Sequence, residues 1–211
     1  MPAVRYPADR KLKTRSQILA AAANLLRTRG IDGTGVDAVM SAVGLTAGGF
    51  YAHFRSKDAL VADAIEVAGD EAARRWHGGL EGLWGRDYAR ALLERYLSTE
   101  HRDDRARGCI LPTLGAEMPR AKRTSRRRFE QRLLRLVDHM GERLRAQNES
   151  SATPLPGRDE VLATIALSVG GLVLSRAVPD RLFADEILEA SRRGAARLLG
   201  ISGAAAERRC P

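Results

Sequence analysis

Cysteine is almost missing from this chain: there are two among 211 residues, Cys109 and Cys210. They are too far apart and too few for a disulfide framework, which points to a reducing compartment. Long apolar runs are missing as well. The most apolar uncharged stretch, Val161 to Ser175, is shorter than the roughly 18–20 apolar residues of a membrane span. The opening MPAVRYPADRKLKTR has no apolar core of the kind a secretory signal carries. No membrane partner and a cytoplasmic location are the expectation. Aromatic residues make up only 5%, whereas alanine, leucine and arginine are plentiful, a balance that favours helix. No strand alternation, internal repeat or low-complexity tract interrupts it. The fold class expected is all-α.

Signatures of catalysis are lacking too. The four histidines, His53, His77, His101 and His139, show no H-x-x-x-H spacing, and no C-x-x-C occurs. There is no G-x-S-x-G, phosphate-binding loop or dinucleotide fingerprint. No catalytic residue, metal ligand or cofactor is nominated. An enzyme would need a site assembled from distant helices.

What the chain does have is positive charge in two places. Lys and Arg number 35 against 26 Asp and Glu. Residues 1–60 carry a net +5 and residues 120–135 a net +7, leaving the remainder acidic. The first region contains the most informative pattern. Val36, Val39, Met40 and Val43 repeat at helical spacing, and Gly44 supplies the left-handed residue that ends a helix. Thr46 is a good N-cap for the next one. There Ala47, Phe50 and Phe54 share an inward face, with Gly48, Tyr51 and Arg55 roughly opposite. So short a helix cannot stand alone, and a DNA major groove admits one helix. Residues 36–55 read as a helix-turn-helix.

These residues resemble the N-terminal domain of the tetracycline-repressor (TetR) family of bacterial regulators. The resemblance is carried by T-R-x-x-I-L-x-A-A from Thr14 to Ala22, by Gly30 closing the first helix, and by G-L-T-x-G-x-F-Y-x-H-F-x-S-K-x-x-L from Gly44 to Leu60. It implies nine helices: a DNA-binding domain over residues 9–57, a helical effector-binding and dimerisation domain over 58–201, and a tail, 202–211. It also implies phosphate contacts at Tyr51, His53 and Lys57, and places Thr34 and Asp37 where they can face DNA. Asp37 reads equally as a helix-start residue. A basic arm, Arg10, Lys11, Lys13 and Arg15, can follow the phosphate backbone. Base readout falls to Thr46, Ala47, Gly48 and Gly49, which offer no bidentate hydrogen bonds. Ala47 can meet a thymine methyl, and the glycines permit close approach.

Further along, the expected helices are 57–76, 88–99, a kinked one over 109–118 between Pro112 and Pro119, 122–147, 158–177 and 180–199, with a loop at 148–157. The helix from Arg158 is apolar nearly all round and so needs cover on two sides. Leu162, Ile165, Val169, Leu172 and Val173, with Ile187, Ser191 and Leu198 of the last helix, are the expected homodimer interface, with Gly170 and Gly171 permitting close approach. The family plan adds a small-molecule pocket. Its candidate lining is Trp76, Trp84, Tyr88, Tyr96, Cys109, Met118, Phe129, Leu133, Met140 and Ile165, residues that serve equally as plain core. Cys109, beside Arg105 and Arg107, is either an oxidant-sensing thiol or an inert small hydrophobe. The run from Arg120 to Arg135 reads as a solvated helix face, an anionic-effector site or an added DNA contact; the resemblance sets this helix away from the DNA-reading heads, which argues against the last. The implied function is a ligand-responsive regulator, a repressor on a pseudo-palindromic duplex. A ligand-binding protein that has lost DNA binding is the competing class.

Overall fold

A computed structural model describes residues 8–145 and 156–201; the expected tail and most of the 148–157 loop lie outside them. The described residues form nine α-helices: α1 (Ala8–Arg29), α2 (Val36–Ala42), α3 (Lys57–His77), α4 (Gly85–Tyr96), α5 (Thr99–Asp103), α6 (Leu111–Leu114), α7 (Arg123–Arg145), α8 (Arg158–Ala177) and α9 (Arg181–Leu198). Two 3-10 segments, Ala47–Ala52 and Met118–Arg120, complete them. The number agrees with expectation, but the members differ. The expected third helix is the first 3-10 segment, and α5 has no counterpart among the expected helices. Its start is fixed by Ser98, whose Oγ accepts the His101 amide N–H at 3.2 Å, a helix-capping bond. The expected 109–118 helix shrinks to one turn, α6, with Pro112 in its first turn and Pro119 inside the second 3-10 segment.

The compact units do not follow the linear boundary at residue 57. One unit runs up to Ala72 and takes in Arg105–Arg132; the other comprises Ala73–Asp104 and the chain from Leu133 onward. In the first, Ile18, Leu26, Val39, Met40, Phe50, Leu60, Ile65 and Leu114 are wholly buried in one core. Arg27 lies inside this unit at 4% exposure, donating to the Ala68 carbonyl at 3.2 Å and to Glu71 at 2.5 Å. A cation that deep requires such partners. Gly30 ends α1 at φ +71°, where glycine alone is unstrained. The next amide, Ile31 N–H, donates to the Glu117 carboxylate at 2.6 Å.

In the second unit α8 packs on α9, burying Val161, Thr164, Ile165, Ser168, Gly171, Leu172 and Ser175. By length and composition α8 could cross a bilayer, a reach that the uncharged stretch alone understates because it omits the charged ends of the helix. Its buried face is that of a core helix. Gly171 is needed within the chain itself, since a Cβ there would sit 2.2 Å from Ser191 Oγ of α9. Arg95 donates to the carbonyls of Arg75, Trp76 and Gly78 at 2.8–3.2 Å, closing the end of α3. Asp180 starts α9 by accepting the Phe183 N–H at 3.0 Å.

Two histidines are held neutral in this unit. His77 Nδ1 lies 2.9 Å from the Tyr88 hydroxyl, and its ring meets that of His139 edge-on at 4.6 Å. Burial, followed by the charges of His139 and Arg143, pushes its pKa down to about 4. His101, 1% exposed, donates from Nδ1 to the Tyr96 carbonyl at 2.7 Å, and burial sets its pKa at about 4. A histidine near 6.5 when unfolded and near 4 when folded stabilises fully above 6.5 and progressively less as pH falls towards 4. The unfolding midpoint is therefore expected to drop between pH 7 and pH 5, and the double variant His77→Gln/His101→Gln to show a flatter profile. Parallel profiles in a thermal titration would refute the assignment.

Candidate nucleic-acid interface

The turn between α2 and the 47–52 segment is built as the sequence indicates. Gly44 has φ +70°, its N–H donates to the Ser41 carbonyl at 3.0 Å, and the Leu45 N–H to that of Met40 at 2.9 Å. Gly48 and Gly49 lower helix propensity by about 1 kcal/mol each relative to alanine. The segment winds as a 3-10 helix, longer than such helices usually run. Thr46 does not cap it with its side chain. Its carbonyl accepts the Gly49 N–H at 3.1 Å, and its side chain is exposed.

The segment has two opposite faces. Phe50 is wholly buried and Phe54 nearly so, their rings stacked at 5.6 Å. Tyr51, edge-on to Phe50, is 74% exposed. Gly48 is exposed, and a Cβ there would touch nothing within 4 Å; one on Gly49 would touch only Met40 Cε at 3.6 Å. Internal packing therefore does not require glycine at either position. Ala47 is half-buried. Ser56 Oγ accepts the Ala59 N–H at 3.1 Å, which caps α3 and sets Lys57 at its first turn, half-buried.

The start of α1 adjoins this surface. Lys11 and Lys13 are exposed. Arg15, by contrast, is taken out of the expected arm. It donates to Asp63 at 2.5 Å, and its guanidinium lies 4.6 Å from the centre of the Phe54 ring. His53 is half-buried, and its Nδ1 is buried without a hydrogen-bond partner. Burial, then the charges of Lys11 and Arg15, lowers its pKa.

Thr34 corrects an expectation. It is wholly buried, and its hydroxyl donates to the Gly30 carbonyl at 2.6 Å, so it cannot face DNA. Asp37 is exposed. Among the interface candidates, Leu172, Ser191 and Ile165 are buried by the chain's own packing, at 0%, 7% and 8% exposure, and none can form the outer surface. Leu162, Val173 and Leu198 are exposed, Val169 and Ile187 half-buried.

The pocket candidates divide between the two units. Cys109, Met118 and Phe129 belong to the first; Trp76, Trp84, Tyr88, Tyr96, Leu133, Met140 and Ile165 to the second. Cys109 is buried. A cleft of about 560 Å³ in the second unit is lined by Arg75, Trp76, Arg95, Ser98, Glu100 and His101 among others; of the candidates, only Trp76 lines it. Periodicity does not reveal it, because its shape depends on the short helix α5. Trp76 Nε1, Thr164 Oγ1 and Ser168 Oγ are buried in this unit without hydrogen-bond partners. Among the described residues, no three His, Cys, Asp or Glu side chains are placed to hold a metal.

Residues 18–64 match the model of the bacterial regulatory proteins of the tetR family. Comparison with curated proteins yielded no match. Solved structures of similar fold include reduced NemR of E. coli, 21% identical, with 88% of this chain and 97% of that one covered at a TM-score of 0.71. A TetR transcriptional regulator of Chloroflexus aurantiacus J-10-FL is 24% identical over 91% and 96%, with a TM-score of 0.71. A TetR-family regulator of Cytophaga hutchinsonii is 18% identical over 90% and 95%, also at 0.71. At these identities the likeness is one of fold. Residues 18–64 thus match the family's N-terminal module, and the chain shares the helical fold of these solved regulators along most of its length.

Proposed function

We propose that the protein is a homodimeric transcriptional repressor of the bacterial cytoplasm, bound to a pseudo-palindromic DNA operator and released from it by a small-molecule effector. The DNA reading is carried by the two-faced 47–52 segment. Phe50 is buried while Tyr51 is 74% exposed, and Thr46 and Gly48 are exposed as well. Tyr51, His53, Lys13 and Lys57 hold phosphates. Gly48, Gly49 and Ala47 let the backbone approach the base edges. A two-fold dimer sets two such segments in successive major grooves, roughly 34–36 Å apart.

Dimerisation is supported by the apolar side chains that α8 and α9 leave exposed: Leu162, Val173 and Leu174 on the former, Leu182, Phe183 and Leu198 on the latter. Together they make a patch that a second copy can cover, two helices from each subunit. An effector is supported by buried polar atoms of the second unit without hydrogen-bond partners, Trp76 Nε1, Thr164 Oγ1 and Ser168 Oγ among them, since such groups call for a partner, and by the 560 Å³ cleft, whose size suits a small molecule. An effector that weakens DNA binding is itself bound more weakly when DNA is present, by the same factor.

Selection of duplexes from random DNA is expected to enrich a two-fold symmetric site. Lys57→Ala should weaken binding to all duplexes alike and reduce the salt slope by about 1 for each phosphate it no longer neutralises. A folded dimer that enriches nothing at low salt would indicate a ligand-binding protein with a vestigial head.

A phosphate beside His53 favours the imidazolium, so binding takes up a proton and tightens as pH falls from 8 to 6. His53→Gln should remove this pH dependence while leaving binding measurable; an unchanged profile rules the contact out. Leu174→Glu with Phe183→Glu should yield a monomer in sedimentation, and a persisting dimer would place the interface elsewhere.

A further inference from the structure

Two cations of the second basic region are neutralised inside the first unit. Arg128 pairs with Glu66 at 3.0 Å, and Arg132 spans Glu66 at 3.4 Å and Asp70 at 2.6 Å. Its guanidinium crosses α3 at Gly69, where a Cβ would lie 2.1 Å from Nε. The stretch ahead of these pairs differs. Arg120, Lys122, Arg123, Arg126 and Arg127 are five cations in eight residues with no acidic residue between them. All five are exposed, and among the described residues none is ion-paired, in contrast to Arg128 and Arg132.

The position of this cluster follows from a buried hydrogen bond. Ser125, 2% exposed, donates to Asp58 Oδ1 at 2.6 Å. Asp58 follows Lys57 in the first turn of α3. The contacts Ser125–Asp58, Arg128–Glu66 and Arg132–Asp70 advance together along both helices, so α7 runs parallel to α3 and the two helices begin side by side. The cluster borders the end of α3 that carries Lys57.

We infer that the exposed cations at the start of α7 form a second phosphate-binding surface, which grips the DNA backbone beside the duplex stretch held by the 47–52 segment and Lys57. The inference rests on the DNA-binding reading above. The occupant is double-stranded DNA because the neighbouring surface already faces it, and because a row of exposed arginines with no carboxylates suits a regularly spaced polyanion. Such contacts carry no base information. They add affinity, salt dependence and length of footprint.

The test uses the full-length dimer and its selected operator as two duplexes, one trimmed to the symmetric core and one longer by a helical turn, about 10 bp, on each side. Arg123→Gln/Arg126→Gln/Arg127→Gln is compared with Arg128→Gln, whose side chain is spent on Glu66. On the longer duplex the triple variant should bind on the order of tenfold more weakly, and its salt slope should fall by about 0.9 for each phosphate left without its arginine. Its hydroxyl-radical footprint should lose the flanking phosphates and keep the core. Arg128→Gln should match the wild type. A triple variant with wild-type slope and footprint, or equal losses in both variants, overturns the inference while the DNA-binding reading stands. A wild-type dimer that binds neither duplex removes both.

Discussion

The outer face of the 47–52 segment depends on the burial of one ring, Phe50. The 47–52 segment has too few residues, and two glycines too many, to hold helical form unaided. It keeps its shape because Phe50 is fully enclosed with Met40, Leu60 and Ile65 in the core of the first unit. Phe54 extends that anchor and is itself roofed by the Arg15 guanidinium, which Asp63 holds in place. α1, the 47–52 segment and α3 are thus joined around two rings. Everything offered outward, Thr46, Gly48 and Tyr51, is a by-product of what those rings require inward.

Charge is organised by the same economy. Arg27 and Arg132 are turned towards their own unit, where carboxylates and carbonyls satisfy them, and are not free to meet a ligand. Lys11, Lys13 and the residues from Arg120 to Arg127 that carry positive charge are turned out. The net charge of +9 therefore understates the contrast between cations that hold the fold and cations that face solvent. The sum over a region cannot make that distinction, and only the location of the carboxylates does.

Much of the first unit is legible in the sequence because its signals are local. Gly30 and Gly44 occupy positive φ where a helix end demands it, and the period of Phe50 and Phe54 identifies the inward face. What escapes reading depends on contacts distant in sequence or on competition within the backbone. Thr34 matches a DNA-facing position by spacing, yet its hydroxyl folds back onto the Gly30 carbonyl. Arg15 reads as part of a basic arm because Asp63 is far along the chain. The apolar circumference of α8 calls for cover on two sides. It cannot say which residues α9 already covers, so Leu172, Ile165 and Ser191 read as outward when they are not. α5 is five residues long and has no period to detect; its one signal is Ser98 as a cap.

Gly48 has a wider consequence. Its surroundings are open, and its backbone is not in the left-handed region, so the folded chain tolerates a side chain there. What this position offers outward is thereby uncoupled from the packing of the core. A side chain can therefore be gained at Gly48 without first acquiring compensating changes in the core, so the outer face of this segment can vary by single steps.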